Sequence, residues 1–202
     1  MFRNAFGYGS HAGRIDERAF LAVNGMGVPA MDWFFRGITW LGHGVVLALL
    51  VLGPMLLFDR PNLRRHALAM VLSVAVGALA VEGVKWAVDR DRPARHFMAA
   101  EIRGEASVRM PDDQLFDHSF PSGHSQSAFG TATYVALLYP RWSIPVSIAA
   151  ALVAFSRVYL GVHFPSDALV GALFGIVFSV AGFRLREVLA ARRSSSSRSK
   201  AG

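Results

Sequence analysis

Long stretches without a charged side chain are the dominant feature of this sequence. Between Arg36 and Asp59 lie 22 consecutive residues with no Asp, Glu, Lys or Arg, and most of them are apolar. A helix needs about 20 apolar residues to cross the hydrocarbon core of a bilayer, so this run, 37–58, is long enough unaided. Four further uncharged runs of 15 or 16 residues approach that length only together with their polar flanks, namely 67–81, 125–140, 142–156 and 168–183.

A soluble helical bundle is the alternative fold for a chain of this kind. Such a bundle would have to cover five helices that are apolar on nearly every face, and a chain of 202 residues has little amphipathic surface for that purpose. Only 17% of the residues are charged, which also favours a membrane environment. The sequence therefore predicts an all-α fold, a polytopic membrane bundle of about five transmembrane helices.

The two ends of the chain are expected to lie outside this bundle. Residues 17–36 are interrupted by polar, glycine and proline residues, which indicates a short helix, a turn and an aromatic stretch at the membrane interface instead of a sixth span. The basic, serine-rich C-terminus is typical of a disordered tail. We therefore expect an interfacial segment over 1–36, the membrane domain over 37–190 and a tail over 191–202.

Basic residues are concentrated on one side of the predicted membrane. Five spans place loop 59–66, the turn at Arg141 and the chain from Arg184 onward together, and these segments hold ten basic but only two acidic residues. Because loops rich in Lys and Arg face the cytoplasm, this side is expected to face inward in the cell (inner) membrane. The remaining residues are nearly neutral, so the net charge of +7 reflects membrane topology and does not indicate a nucleic-acid partner.

Four predicted helix ends that carry unusual polar residues fall on the opposite, outward side. Connectivity alone places there the end of the second span, the start of the third, the end of the fourth and the start of the fifth. A polar residue taken singly is more often a helix-end residue than a ligand-binding group, but the convergence of four such ends predicts one site. The residues concerned are Lys85, Arg92, Pro93, the Pro-Ser-Gly-His sequence 121–124, Ser156, Arg157, His163 and Asp167.

The cations of this site predict an oxyanion ligand. Lys85 and Arg92 are seven residues apart, so they share a face on a continuing helix, which Pro93 then ends. Arg157 adds a third positive charge, and three cations suit a multiply charged oxyanion such as phosphate. Glu82 precedes Lys85 by one turn and is expected to pair with a cation in a structural role.

The remaining motif residues supply hydrogen-bond donors and a nucleophile. Ser122 and Gly123 can present hydroxyl and amide donors at the start of a helix, where backbone N–H groups are free. Asp167 follows His163 by four residues, so the carboxylate can hold one ring nitrogen while the other attacks phosphorus. His124 remains as the acid that protonates the leaving oxygen. No metal or other cofactor is expected, because the cations would stabilise the developing charge.

The three motifs resemble the signature of the type 2 phosphatidic acid phosphatase superfamily. The sequence has K-x6-RP over 85–93, PSGH over 121–124 and SR-x5-H-x3-D over 156–167, with every fixed position present and in order. The resemblance covers about residues 20–185. It implies a helical bundle that hydrolyses phosphate esters without a metal, through a phosphohistidine intermediate.

The same resemblance implies a role for each motif residue. His163 would be the nucleophile, Asp167 its orienting partner and His124 the general acid. The transferring phosphoryl group would be held by Lys85, Arg92, Ser122, Gly123 and Arg157. The superfamily also contains soluble vanadium haloperoxidases, which are longer, so the predicted spans argue against that branch. Many members have six spans, whereas here the interrupted segment 17–36 takes the place of the first.

An outward-facing phosphate site within a membrane implies an amphiphilic substrate, so the expected partners are a lipid phosphate and membrane lipids. Superfamily members of this size act on phosphatidic acid, phosphatidylglycerol phosphate, undecaprenyl diphosphate or lipid A phosphate. Undecaprenyl diphosphatases often carry Asp where this chain has Gly123, which favours a broader lipid phosphatase. Substrate choice is expected to lie in loop 94–120 and in residues 17–36.

Two other functions stay open. One is a non-catalytic lipid-phosphate binding or transport protein, which could lose either histidine. The other is a channel or scaffold, which would need none of the motif residues.

Overall fold

The structure, a computed structural model, describes residues 11–111 and 115–199. This part of the chain is mostly helical and contains no β-strand, so the expected all-α fold is confirmed. A 3₁₀ turn, Pro140–Trp142, separates the sixth and seventh helices. The helices are α1 (His11–Gly25), α2 (Pro29–Trp40), α3 (Gly44–Phe58), α4 (Arg60–Val88), α5 (Pro93–Ile102), α6 (Gly123–Leu138), α7 (Ser143–Tyr159) and α8 (Pro165–Ser199).

Within the described residues, three helical stretches are long and apolar enough to cross a membrane. They are Arg60–Ile102, Pro140–Tyr159 and Pro165–Arg193, and the bent pair α2–α3 makes a fourth if it forms one span. The sequence predicts about five spans. The difference arises at α3 and α6, which have 15 and 16 residues and so fall short of the about 20 residues that cross a bilayer core. The short helix α6 packs against α3, α4, α7 and α8.

The first uncharged run, 37–58, is not the continuous helix that the sequence predicts. The axes of α2 and α3 differ by 66°, with the break at residues 41–43. Gly42 lies in this break, and a Cβ atom there would be 2.5 Å from Cδ2 of His124. Glycine is a poor helix former and has no side chain to clash. The chain can therefore bend here and pass close to the ring of His124.

The N-terminal segment has the predicted helix and turn, and the structure ties it to the rest of the bundle. The side-chain amide of Asn24, near the end of α1, donates to the carbonyl oxygens of Arg109 (2.8 Å) and Tyr159 (3.0 Å). Trp33 and Trp40 on α2 are exposed, as aromatic residues at a membrane interface commonly are. The interfacial position of 17–36, without a sixth span, stays a prediction.

Helix α4 ends earlier than the sequence predicts. Asp89 adopts a left-handed conformation (φ 46°), and its backbone N–H donates to the carbonyl oxygen of Lys85 (2.9 Å). Pro93 begins α5 instead of ending α4, a position in which its missing N–H is not needed. The prediction that Lys85 and Arg92 share a face of one continuing helix is therefore wrong. Arg92 instead reaches the site from the segment between the two helices.

Glycines on α8 bring this helix close to the start of α6. A Cβ atom at Gly171 would lie 2.2 Å from the carbonyl oxygen of Ser122, and one at Gly175 would lie 2.3 Å from that of Gln126. Small residues four apart allow this kind of backbone approach between membrane helices. As a result, the N-terminal ends of α6 and α8 lie side by side.

Helix α8 continues beyond the predicted membrane domain. Its backbone is helical up to Ser199, whereas the sequence predicts a disordered tail over 191–202. Ala190, Ala191, Arg192 and Arg193 are good helix formers, which explains why the helix does not stop at the end of the apolar stretch. Residues 200–202 lie outside the described part of the chain.

Candidate active site

His163 and Asp167 form the buried centre of the candidate site. Both side chains are almost inaccessible to solvent, and Nδ1 of His163 lies 3.5 Å from Oδ2 of Asp167. This distance exceeds the usual 2.7–3.2 Å of a hydrogen bond, but catalytic hydrogen bonds often shorten only when substrate is bound. The other ring nitrogen, Nε2, lies 3.3 Å from Nη1 of Arg92. Because a guanidinium can only donate, this contact requires Nε2 to be the unprotonated nitrogen and Nδ1–H to face Asp167.

Burial keeps the imidazole of His163 neutral. Desolvation lowers the pKa of His163 to about 4, the cations of Arg92 and Arg157 act in the same direction, and Asp167 opposes them. At neutral pH the ring therefore has a free lone pair on Nε2. That is the form in which a histidine can act as a nucleophile.

Three further donors hold the carboxylate of Asp167 in place. Nη1 of Arg90 donates to Oδ1 (2.6 Å), and the backbone N–H of Phe164 donates to Oδ2 (2.8 Å). The hydroxyl of Ser119 also donates to Oδ2. A buried carboxylate is stable only when it is paired and hydrogen-bonded, and these contacts provide both. The position of Asp167 is therefore set by residues that are not among the fixed positions of the three motifs.

Arg90 also links this carboxylate to the first helix of the chain. Its Nη2 donates to Oδ2 of Asp16 (2.7 Å) and its Nη1 to the hydroxyl of Ser166 (2.7 Å). Asp16 in turn accepts a hydrogen bond from the backbone N–H of Ser166 (2.9 Å). The guanidinium of Arg90 stacks over the ring of Phe164 at 4.1 Å from its centroid. Sequence reasoning missed Arg90, Asp16 and Ser119, and only Arg90 had a signal, its place within the charged sequence before Pro93.

Arg92, one of the predicted phosphate-binding cations, lies beside Nε2 of His163. Arg92 donates to the backbone carbonyl oxygens of Asp117 (2.8 Å) and Val162 (3.0 Å), and it has no ion pair within the described residues. Its positive charge is thus positioned by neutral groups, which leaves it unbalanced for an anion.

Lys85 approaches the site from the end of α4. A Cβ atom at Gly123 would lie 3.8 Å from Nζ of Lys85, so the ammonium group faces the first residue of α6. Glu82 lies 2.6 Å from the same ammonium group, and its predicted pairing with a cation is confirmed.

Arg157 and His124 lie against the bend between α2 and α3. The buried guanidinium of Arg157 donates to the hydroxyl of Thr39 at the end of α2 (2.5 Å). The ring of His124 packs edge-on against that of His43, with centroids 4.7 Å apart. The bend therefore forms one wall of the site, and sequence reasoning missed both Thr39 and His43 because the run 37–58 reads as one helix.

Ser122 is placed at the site but is used mainly for capping. Its backbone N–H donates to the carbonyl oxygen of Asp167 (2.9 Å), and its hydroxyl accepts from the backbone N–H of Ser125 (3.4 Å) and from the Ser125 hydroxyl (3.1 Å). Because the Ser122 hydroxyl caps the N–H of Ser125, the backbone N–H groups of Gly123 and His124 are left as the donors at the start of α6. The phosphate-binding roles of Ser122, Gly123 and the other predicted ligands remain predictions. In the described parts of the chain, no group of three His, Asp or Glu side chains is arranged to hold a metal ion.

Comparison with known proteins identifies a family and several relatives of this chain. The sequence profile of the PAP2 superfamily matches residues 66–189. A lipid A 1-phosphatase from Rhizobium etli is 40% identical over 108 residues, which are 54% of this chain and 45% of that protein. A decaprenylphosphoryl-5-phosphoribose phosphatase from Mycobacterium tuberculosis is 32% identical over 168 residues, which are 78% of this chain and 85% of that protein. The chain spans about half the length of several curated relatives that it matches.

A solved structure has the same fold. The crystal structure of a transmembrane PAP2-type phosphatidylglycerolphosphate phosphatase from Bacillus subtilis matches with a TM-score of 0.70 and 26% sequence identity, over 92% of this chain and 90% of that one. The residues that the superfamily profile covers include all three motifs and the helices that position them. This chain is therefore a membrane protein that belongs to the PAP2 superfamily.

Proposed function

We propose that this protein is a lipid phosphate phosphatase that works without a metal, through a phosphohistidine formed on His163. The observation that carries the proposal is the environment of His163. Its ring is buried and neutral, Nδ1 faces a fixed carboxylate, and Nε2 lies beside the unbalanced charge of Arg92. This combination activates a histidine as a nucleophile next to a cation that can bind phosphate.

The reaction takes two steps. His124 enters the first step as an imidazolium, which the bound phosphate anion stabilises. Nε2 of His163 attacks phosphorus, the bond to the lipid oxygen breaks, and the imidazolium of His124 gives one proton to that oxygen as the lipid alcohol leaves. Neutral His124 then takes a proton from a water molecule as the water attacks the phosphohistidine. Inorganic phosphate is released and both histidines return to their starting states. Lys85, Arg92 and Arg157 stabilise the negative charge that builds on the phosphoryl oxygens in both steps.

The substrate class follows from where the site lies. The cations are at the end of helices that are apolar enough to cross a membrane, so a phosphate group would reach them while its lipid chain stays in the bilayer. The relatives include phosphatases of lipid A, of a decaprenyl-linked phosphoribose and of phosphatidylglycerol phosphate. A phosphomonoester or diphosphate on a lipid is the chemistry that these substrates share. The basic residues at the opposite ends of the helices support an active site on the non-cytoplasmic face of the cell (inner) membrane.

The test is phosphate release by purified protein in detergent. The substrates are phosphatidic acid, phosphatidylglycerol phosphate, undecaprenyl diphosphate and lipid A, each assayed with EDTA present. We expect release from at least one lipid, no loss with EDTA, and loss of turnover by several orders of magnitude in His163→Ala and in His124→Ala. His66→Gln is the matched control, because His66 is buried at the other end of α4.

Trapping the intermediate separates catalysis from binding. With ³²P-labelled substrate and an alkaline quench, label should remain on the wild-type protein and on His124→Ala but not on His163→Ala. Full activity in both histidine variants would contradict the proposal. Tight binding of lipid phosphates without any turnover would instead favour the non-catalytic binding or transport protein.

A further inference from the structure

A groove between α4 and α8 lies far from the active site. It has a volume of about 870 Å³ and runs along the half of the two helices that includes the beginning of α4 and the later part of α8. Arg65, at the open end of the groove, and Lys85, at the active site, are 20 residues apart on the same helix. With a rise of 1.5 Å per residue, they are separated by about 30 Å, the thickness of a bilayer core. The groove therefore opens in the opposite leaflet.

Small residues form the floor of the groove and apolar residues form its walls. α4 and α8 touch at Ser73 and Gly182, where a Cβ atom on the glycine would lie 1.8 Å from Oγ of Ser73. Leu68 and Leu72 on one wall and Leu185 on the other are exposed to a degree that would be unusual in water. In a membrane, a slot of this shape holds a hydrocarbon chain without burying any polar group.

Four arginines line the same groove toward its open end, namely Arg64, Arg65, Arg186 and Arg193. Arg186 bridges the helices by donating to the carbonyl oxygen of Arg65 (3.1 Å), and it pairs with Glu187 (2.5 Å). Among the described residues, the guanidinium groups of Arg64, Arg65 and Arg193 have no carboxylate partner. Three unbalanced cations at the end of an apolar slot are complementary to a phosphate group attached to an acyl chain.

We propose that this groove binds one anionic diacyl phospholipid of the leaflet opposite the active site. One acyl chain lies between α4 and α8 against the floor at Ser73 and Gly182, and the headgroup phosphate contacts Arg64 and Arg193. A free phosphate ion would leave the apolar walls uncovered, and a zwitterionic lipid would leave the arginine charge unbalanced. The site is separate from the phosphatase centre, so the proposal does not depend on the activity proposed above.

The test is lipid binding measured by native mass spectrometry of the full chain in detergent. The probe is phosphatidylglycerol, whose phosphodiester offers no terminal phosphate, with phosphatidylcholine of the same acyl chains for comparison. We expect one phosphatidylglycerol to bind with clear preference over phosphatidylcholine. Arg64→Gln/Arg193→Gln should weaken that binding about 30-fold, as expected for the loss of two arginines near a phosphate.

Two kinds of control locate the bound lipid. Arg184→Gln/Arg192→Gln removes two charges from exposed positions on the same end of α8 that do not line the groove, and it should leave the affinity within about 3-fold of wild type. Arg92→Gln, at the active site, should also leave it unchanged. Ala190→Trp fills the groove while keeping all four arginines, and it should abolish the preference for phosphatidylglycerol.

Three outcomes would overturn the proposal. Equal binding of phosphatidylglycerol and phosphatidylcholine would show that the arginines select no headgroup. An equal loss in both double arginine variants would reduce the effect to overall charge. A dimer that dissociates in Arg64→Gln/Arg193→Gln, with lipid binding unchanged, would assign the groove to a second copy of the chain.

Discussion

Among the described residues, the carboxylate of Asp167 has four polar neighbours, and only His163 is a fixed position of the motif that contains Asp167. The spacing of His163 and Asp167 indicates their contact because four residues are one helical turn. The contact between Arg90 and Asp16 spans 74 residues and that between Asp16 and Ser166 spans 150, so no local spacing could indicate them. Sequence reasoning therefore predicted the contact between His163 and Asp167 but not the contacts that Asp167 makes with distant parts of the chain.

Arg90 is a positioning residue, because it touches Asp167 and not the space beside Nε2 of His163. We expect Arg90→Gln to lower kcat roughly 10²-fold, since a small displacement of the carboxylate misorients the nucleophile. KM should change little, and Arg90→Lys should restore part of the activity. Steady-state kinetics on the best lipid substrate measure both constants. Glu105→Gln, an exposed residue paired with Arg103, is the control for a lost ion pair. A rise in KM with unchanged kcat would place Arg90 in substrate binding instead.

The pH dependence of the reaction tests the neutral state of His163. Since the pKa of His163 is lowered to about 4, the nucleophile stays unprotonated from neutral pH down to that value and is lost below it. We expect kcat/KM, corrected for the second ionisation of the substrate phosphate, to fall only below about pH 4. Arg92→Gln removes a cation that disfavours the imidazolium, so its acid limb should move to higher pH. A fall in the kcat/KM of the wild-type protein centred near pH 6.5, the ordinary pKa of histidine, would contradict this account.

At the scale of the elements, the convergence of helix ends was predictable and the shapes of the ends were not. Successive membrane helices alternate in direction, so the ends that carry the three motifs had to meet on one face. The bend at Gly42 goes with a close approach of the chain to the ring of His124, which is a tertiary contact. The early end of α4 goes with the left-handed backbone of Asp89. Neither feature leaves a hydrophobic period in the sequence. Both change which residues line the site, because the bend adds Thr39 and His43 to its wall.

The contact between α6 and α8 is a second feature at this scale. A single methyl group at Gly175 would lie 2.3 Å from the carbonyl oxygen of Gln126 and 2.6 Å from the amide nitrogen of Gly130, both backbone atoms that cannot turn away. We expect Gly175→Ala to destabilise the protein by about 1–3 kcal/mol and to lower activity, because the two helices must separate. Thermal unfolding in detergent measures the first effect. Gly53→Ala is the matched control, since a Cβ atom there meets nothing within 4 Å, and an equal loss in both variants would contradict the prediction.

At the scale of the whole molecule, the charge distribution predicts which side of the membrane holds the site. The chain has no cysteine, so single cysteines introduced at Glu105 and Arg141 report on opposite sides. In sealed vesicles with the cytoplasmic side inward, a membrane-impermeant maleimide should label Glu105→Cys and should label Arg141→Cys only after the vesicles are opened. As a control for cysteine reactivity, both variants should be labelled equally after detergent has opened the vesicles. The reverse pattern would place the active site on the cytoplasmic face.

The chain of contacts from Asp16 through Arg90 to Asp167 has a consequence for biosynthesis. The ribosome makes Asp16 before Arg90 and Arg90 before Asp167, so the guanidinium that joins the two carboxylates lies between them in sequence. Until α8 is inserted beside α6, Arg90 and His163 both lack their contacts with Asp167. A partly synthesised chain in the membrane can therefore carry most of the cations without the contact between His163 and Asp167 that the proposed mechanism needs. We expect the proposed hydrolysis to begin only when α8 has docked against α1.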